Sequence, residues 1–489
     1  MQPHLVAQSS SGALQGIEER GVAVFRGVPY AAAPTGALRF MPPEPVKAWT
    51  GVRDASRHGP IAPQLPTTIV HVMGDVLSPQ NEDCLTLTIW TRAADNRLRP
   101  VMVWLHGGSF TSGAGSLDWY NGSRLARDGD MVVVGVNYRL GALGFLCREG
   151  ICDGNMGLLD IAAALRWVNA NIAGFGGDPD RVTVAGQSAG AHAIARLAGM
   201  AEVRPTFRRV ILQSGAFSRP TSTRADMAPT SSVFLHELGI DPDANDVNSR
   251  LRDVPVNRIL QAQAVALTEG NRLGGAQEAF RPVAPARGST AQQISTIVEA
   301  LSGADVMLGI TANEMHAFIG RPELPDHSES FVADRLQTIT GRIDALAYYR
   351  ARHPGSTMRN LLCKVMSDHA YRGPSNELAV GLAAQGTPVF GYVFEWCPPT
   401  SRYKACHCID LPFVFGNAEM WGDAGMLAGA GAAEMAALSA TVQRAWITFV
   451  HQGAPEPDQM IRWPRFQPDD QQVMRLGRRI ETGISYFTR

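Results

Sequence analysis

The sequence predicts an α/β protein built on a large, mostly parallel central sheet flanked by helices, and three observations predict it. Six short apolar runs stand out: VMVWL (101–105), MVVVGV (131–136), RVTVA (181–185), RRVILQ (208–213), DVMLGI (305–310) and PVFGYVF (388–394). Their apolar character is continuous rather than alternating, which suits strands covered on both faces. Between the second and third runs, Leu158, Leu159, Ala162, Leu165, Trp167, Val168 and Ile172 recur at helical spacing until Gly174 and Pro179 end the pattern. Strand, helix and strand in succession imply a right-handed crossover between parallel neighbours.

A chain of 489 residues, 45% of them hydrophobic, can bury a large core. There is no repeat of fixed period and no charged or Pro/Ser-rich linker, so residues 1–489 are expected to form one domain carrying insertions. The Gly/Ala-rich stretch 426–440 enters a helix expected to continue through TVQRAWITFVHQG, which Gly453 and Pro455 close. Lys and Arg number 44 against 45 Asp and Glu, and no basic run occurs, so nothing in the charge pattern would draw nucleic acid or an acidic membrane surface. The opening MQPHLVAQSSSGALQGIEERG lacks the charged start, apolar core and cleavage site of a secretory leader, and the longest apolar runs are too short to span a bilayer. A cytoplasmic protein with no membrane span is expected. Seven cysteines, at 84, 147, 152, 363, 397, 406 and 408, form an odd set without paired zinc-ligand spacing. They are expected to be reduced thiols, with no structural metal.

Chemistry enters at VTVAGQSAGAHAIARL (182–197). A serine that attacks a carbonyl needs its hydroxyl held clear of the sheet on a sharply bent backbone. Small flanking residues let neighbouring elements approach that bend. G-x-S-x-G between a strand and a helix is the nucleophile-elbow pattern: Val182 to Ala185 supply the strand, Gly186 and Gly190 the permissive positions, and Ala191 to Leu197 the helix. The helix N-terminus also favours developing negative charge. The competing reading is a tight turn with an incidental serine. A second element, VMVWLHGGSFTSG, feeds a strand into His106, Gly107, Gly108, Ser109 and Phe110, a form of the HGGG-type loop whose backbone N–H groups stabilise an oxyanion. Its competing reading is a plain glycine turn.

Serine needs a base, usually a histidine oriented by a buried carboxylate, and in this fold the chain order is serine, acid, histidine. His192 lies on the elbow's own helix, where packing or surface exposure is the simplest reading. His407, in ACHCIDLPFVFG, follows the strand PVFGYVF and so belongs at the carboxyl edge of the sheet. Glu314, in GITANEMHAF, follows DVMLGI in the same situation, whereas Asp305 begins that strand and belongs at the opposite edge. By position alone, an ordinary loop histidine and a helix-start glutamate remain open alternatives.

With these residues in hand, the chain resembles the type B carboxylesterase family, especially bacterial para-nitrobenzyl-esterase-like members and more distantly the cholinesterases. The resemblance runs nearly end to end, through GVAVFRGVPYAAAPTGALRF, NEDCLTLTIW and the long GNMGLLDIAAALRWVNANIAGFGGDPDRVTVAGQSAG. It implies the α/β-hydrolase fold, with insertions around an active-site gorge. It implies Ser188 as nucleophile, Glu314 as acid, His407 as base, and the backbone N–H groups of Gly108, Ser109 and Ala189 as oxyanion donors. The implied activity is carboxylic ester hydrolysis through an acyl-enzyme, with no cofactor and no metal, on a small-molecule ester. A carbamate or amide hydrolase using the same groups is the runner-up, and a binding protein that keeps only the fold is a more distant rival. The resemblance leaves monomer and dimer equally open.

Departures from the family carry their own expectations. Many relatives have glutamate where Gln187 stands, so weaker preference for cationic substrates is expected. Ala62 in GPIAPQ replaces a cysteine that secreted relatives pair with the one at Cys84. Cys408 stands where glycine or alanine is usual, and a thiol there or at Cys406 would sensitise the base to oxidants or heavy metals. Phe110, Phe318, Trp396, Phe413 and Gln187 are candidate pocket residues, with core packing the alternative for the aromatics. Segments 68–80 and 319–330 are the expected variable stretches near the entrance.

Overall fold

All six apolar runs are strands in the computed structural model, which describes residues 5–219, 222–272, 279–321, 323, 325–456 and 461–484. The strands that position the site are β1 (Ile17–Glu19), β2 (Val22–Pro29), β3 (Thr86–Thr91), β4 (Arg99–Leu105), β5 (Val132–Val136) and β6 (Gly177–Gln187). They continue with β7 (Arg209–Gln213), β8 (Asp305–Thr311), β9 (Val389–Phe394), β10 (Gln472–Leu476) and β11 (Ile480–Ile484). The chain packs into two compact units. The first takes the described parts of 1–67, 76–210 and 220–293; the second takes those of 68–75, 211–219 and 294–489. The boundary falls inside β7.

In the first unit the strands lie in the order β6-β4-β5-β3-β2-β1. β6, β4 and β5 are parallel, with Val182 opposite Val101 and Gly186 opposite Leu105. The outer strands β3, β2 and β1 pair antiparallel, so the parallel sheet carries an antiparallel edge in this unit. Those antiparallel strands escape a search for unbroken apolar runs. β3 buries Thr86, Thr88 and Thr91 along with its apolar residues. Their hydroxyls find local partners, as Thr88 Oγ1 does at 3.1 Å from His58 Nδ1 and Thr91 Oγ1 does on the Ala93 carbonyl at 3.2 Å, so a polar residue can sit in the core there. Every residue of β4 and β5 is buried. Full burial contributes about 1.5–3 kcal/mol for each large aliphatic side chain, which makes these strands the unit's rigid floor.

The predicted crossover helix forms over Met156–Asn171, and a 3-10 turn over Ile172–Phe175 ends at Gly176, whose φ of 81° closes it in left-handed conformation. Inside this helix Asp160 is fully buried, yet Arg139 grips it with a fork, Nη2 to Oδ1 at 2.7 Å and Nε to Oδ2 at 2.8 Å. A bidentate partner is what makes a buried carboxylate tolerable.

In the second unit β8, β9 and β10 are parallel and β11 returns antiparallel. Val306 faces Val389 and Thr311 faces Phe394 across the first pair. The last long helix spans Ala432–Gln452 and stops at Gly453, φ 80°, as expected. It begins later than the Gly/Ala stretch suggests. Residues Gly425–Leu427 form a 3-10 turn, and Gly429 at φ 80° adopts a conformation no helix continues. Met435, Leu438, Val442, Trp446 and Phe449 then face inward at helical spacing.

Candidate active site

β6 ends at Gln187, the helix Ala189–Leu197 begins two residues on, and Ser188 between them holds φ 56° and ψ −118°. That is a sparsely populated backbone state for a residue with a Cβ, and strain of this kind, of order 1–3 kcal/mol, persists only where the surroundings impose it. They do so through glycine. A Cβ on Gly190 would meet the Leu105 carbonyl oxygen at 2.0 Å, and one on Gly186 would meet Gly190 at 2.7 Å. Both glycines of the motif are thus required by contact. The Ser188 side chain does not cap the helix it precedes, and its carbonyl accepts the first helical hydrogen bond, from His192 N at 3.1 Å. His192 is thereby part of the helix turn.

The glycine loop after β4 packs onto this elbow. A Cβ on Gly107 would lie 2.9 Å from the Gln187 carbonyl oxygen and 3.0 Å from Ser188 Cβ. Three successive residues then take positive φ: Gly108 at 113°, Ser109 at 55° and Phe110 at 63°. The Gly108 carbonyl accepts from both Thr111 N and Ser112 N at 3.0 Å, which curls the loop tightly. His106 is fixed beneath it. Its ring stacks on Tyr138 with centroids 4.3 Å apart, its Nδ1 lies 2.7 Å from the Gly107 carbonyl, and burial drops its pKa to about 4, so it is neutral. A neutral, pinned imidazole shapes the loop and is unsuited to proton transfer near pH 7.

In the second unit the loops after β8 and β9 meet. His407 Nδ1–H donates to Glu314 Oε2 at 2.5 Å, with both side chains almost wholly buried. The other carboxylate oxygen, Oε1, accepts Thr311 N at 2.8 Å, and the Glu314 carbonyl accepts His407 N at 3.3 Å. Main chain and side chain together fix the imidazole's tautomer, leaving Nε2 as the acceptor. The ring lies against Phe318 and Tyr371, at 5.2 and 5.3 Å between centroids. Tyr371 reaches it from a π-helical turn, Asp368–Arg372, that interrupts an otherwise continuous helix.

Of the remaining pocket candidates, Gln187 is buried under Gly107 and Phe110 packs on Phe145 at 5.0 Å. Trp396 and Phe413 meet edge to face with centroids 4.8 Å apart, Phe413 also packs on Phe394, and Trp396 Nε1–H donates to Glu434 at 2.8 Å. The structure thus places these two in the second unit's core. Within segment 319–330, residues 322 and 324 lie outside the described residues; within 68–80, Val70–Met73 is a helical turn. None of the seven cysteines is in a disulfide. Cys406 is fully buried, which pushes its thiol pKa up and makes a reactive thiolate unfavourable; Cys408 holds φ 75°, a conformation that glycine would adopt without strain.

Asp410, which sequence reasoning missed, lies three residues beyond His407 and is fully buried. Gln213 Nε2 donates to its Oδ2 at 2.8 Å and Tyr392 Oη–H at 3.3 Å. Burial, opposed by the Gln213 bond and reinforced by the nearby Glu314 charge, pushes its pKa up to about 6. The folded protein therefore holds this proton more tightly than the unfolded chain. Stability linked to it is fully present below about pH 4 and declines as pH rises through about 6, by on the order of 2–3 kcal/mol. Asp410→Asn, which cannot ionise, is expected to gain Tm relative to the parent as pH goes from 4 to 7; thermal unfolding that shifts in parallel for the two proteins would refute this.

A strand-to-helix elbow bearing a strained serine, set in a sheet with this strand order, is the arrangement of the α/β-hydrolases. The carboxylesterase family matches residues 3–487, and the chain belongs to it: it is a carboxylic ester hydrolase. It is 37% identical over 479 residues to a phenmedipham hydrolase of Pseudarthrobacter oxydans, covering 96% of this chain and 95% of that one. It is 36% identical to a para-nitrobenzyl esterase of Bacillus subtilis, over 97% and 95% of the two chains. Among solved structures, a Geobacillus stearothermophilus carboxylesterase superposes with a TM-score of 0.86 at 32% identity, covering 99% of this chain and 98% of its own. No helix among the described residues is long and apolar enough to cross a membrane.

Proposed function

We propose that Ser188, His407 and Glu314 are the catalytic triad and that the N–H groups of Gly108, Ser109 and Ala189 form the oxyanion hole. His407 Nε2 takes the Ser188 proton as Oγ attacks the ester carbonyl, and Glu314 stabilises the imidazolium that forms. The tetrahedral oxyanion is held by the three N–H donors, of which Ala189, first in its helix, has no intrahelical acceptor. His407 then protonates the departing alcohol. Water repeats the sequence on the acyl-enzyme, releasing the acid and restoring Ser188. On this reading both units belong to one catalytic domain, the protein is cytoplasmic, and neither metal nor organic cofactor takes part.

The observation that carries the proposal is the Ser188 backbone, strained at φ 56° between two glycines whose missing side chains the packing demands. The buried Glu314–His407 pair supports it independently. Gln187, neutral beside the serine, favours uncharged over cationic substrates, and Phe318 and Tyr371 against the base supply apolar surface. Kinetics with para-nitrophenyl butyrate, a matched carbamate and a matched anilide are expected to give the highest kcat/KM for the ester. An anilide turned over faster than the ester would move the reading to an amide hydrolase.

A further inference from the structure

Gln64 sits far from every motif, in GPIAPQ, yet its side chain closes a hydrogen-bonded ring on the glycine loop. Its Oε1 accepts Gly113 N at 2.6 Å, while its Nε2 donates to the Gly113 carbonyl at 3.0 Å and to the Ala62 carbonyl at 3.0 Å. The amide therefore grips both polar groups of one residue. Its own base is anchored too. Gln64 N donates to Gln80 Oε1 at 2.9 Å, Ile61 N donates to the Pro79 carbonyl at 2.9 Å, and Asn81 N returns to the Ile61 carbonyl at 3.0 Å, a short parallel pairing of the two straps.

Gly113 is the residue against which the loop closes. A Cβ there would lie 2.5 Å from His106 Nδ1 and 2.6 Å from the Gly107 carbonyl oxygen, and one on Gly108 would lie 2.0 Å from the Ser112 carbonyl oxygen. The loop is thus a ring of backbone in contact, His106 to Gly113, with positive φ at four of its residues: 108, 109, 110 and 113. Such a conformation is imposed from outside, and one outside hold is the Gln64 amide. Others are Gly141 N on the Phe110 carbonyl, at 2.7 Å, and Tyr138 Oη–H on the His106 carbonyl, at 2.9 Å.

We infer that Gln64 is a positioning residue for ester hydrolysis: its carboxamide latches Gly113 and thereby sets the direction of the Gly108 and Ser109 N–H groups toward the oxyanion. The inference rests on the proposed oxyanion hole. Gln64 touches no reacting atom. Donors aimed slightly wrong cost transition-state stabilisation and leave ground-state binding nearly intact. Gln64→Ala is therefore expected to lower kcat by about 10- to 100-fold, with KM changed less than about twofold.

The test measures kcat per serine titrated with a fluorophosphonate, so that loss of folded enzyme is counted separately. Alongside it, the affinity of an aryl trifluoromethyl ketone, which captures the serine as a charged tetrahedral adduct, is compared with that of the plain methyl ketone. Gln64→Ala is expected to weaken the fluorinated ketone by the factor lost in kcat/KM and to leave the methyl ketone unchanged. Gln64→Glu gives a second arm. Its neutral carboxyl can accept from Gly113 N and donate to the Gly113 carbonyl, as the amide does, whereas the ionised form can only accept and repels the carbonyl. The ratio of its kcat to that of the parent is expected to rise about tenfold as pH falls from 8 to 5.5. If Gln64→Ala does not fold, this ratio decides. A Gln64→Ala kcat per titrated serine within about twofold of the parent, or a flat Gln64→Glu ratio, overturns the latch. A parent enzyme that takes up no fluorophosphonate at Ser188 overturns instead the catalytic reading beneath it.

Discussion

Ser188→Ala is expected to lower kcat on para-nitrophenyl butyrate by about 10⁵- to 10⁶-fold while leaving KM within a few-fold of the parent. Removing the hydroxyl removes the covalent route altogether, and only binding and the N–H cradle remain to act on an attacking water. His407→Ala is expected to cost nearly as much. In the proposed triad the two groups act as one device, since an imidazole without its serine activates nothing and a serine without its base stays protonated. The double variant is therefore expected to be no slower than the worse single one, and kcat losses that multiply would show that the residues work apart. Circular dichroism and Tm of Ser188→Ala should match the parent, because alanine keeps the Cβ that the elbow accommodates at φ 56°.

Glu314→Gln is expected to lower kcat by about 10⁴-fold, again with little change in KM. The glutamate's two oxygens do different work: Oε1 accepts Thr311 N and Oε2 accepts His407 Nδ1–H. Glutamine can keep one acceptor. If its oxygen stays on Thr311 N, its NH₂ faces His407 Nδ1, which must then accept, and the ring proton moves to Nε2. The base is then in the wrong tautomer to receive the serine proton. Even with the tautomer kept, the imidazolium would form in a buried site with no counter-charge, an expensive state. Glu314→Asp retains charge while shortening the reach, so it is expected to fall between the two. Pre-steady-state kinetics that show acylation unaffected in Glu314→Gln would contradict this account.

How much of this was legible beforehand follows from where the information lies. β4, β5, β6, β8 and β9 declare themselves because burial on both faces leaves unbroken apolar runs, and the elbow does so because contact at 2.0 Å forces glycine at fixed spacing around Ser188. Glu314 and His407 were reachable through chain order and strand ends, and the structure hydrogen-bonds them. β3 was not found by periodicity, since buried threonines break the pattern while finding partners locally, and in β2 the apolar run is broken by Arg26 and Gly27. Asp410 and Gln64 lie within the quoted segments ACHCIDLPFVFG and GPIAPQ, but no spacing or pattern there gives either a role. Each is a single polar residue whose meaning comes from distant partners, 197 positions away for the Gln213–Asp410 bond and 49 for Gln64–Gly113. The π-helical turn that brings Tyr371 to the base is likewise a product of packing around it.

For Trp396 and Phe413 the sequence leaves two readings open, pocket wall and core packing. Aromatic residues near a catalytic segment look like pocket walls, but a ring pair 4.8 Å apart with its indole N–H bound to Glu434 is satisfied within the protein. Phe318 and Tyr371 instead lie against the imidazole of His407, the proposed base.

Peptide mapping by mass spectrometry after reaction with a fluorophosphonate tests the central claim most directly. One adduct per chain is expected, carried by Ser188, absent from Ser188→Ala and strongly slowed in His407→Ala. An adduct on any other residue, or a Ser188→Ala protein that still hydrolyses para-nitrophenyl butyrate at the parent's rate, would contradict it.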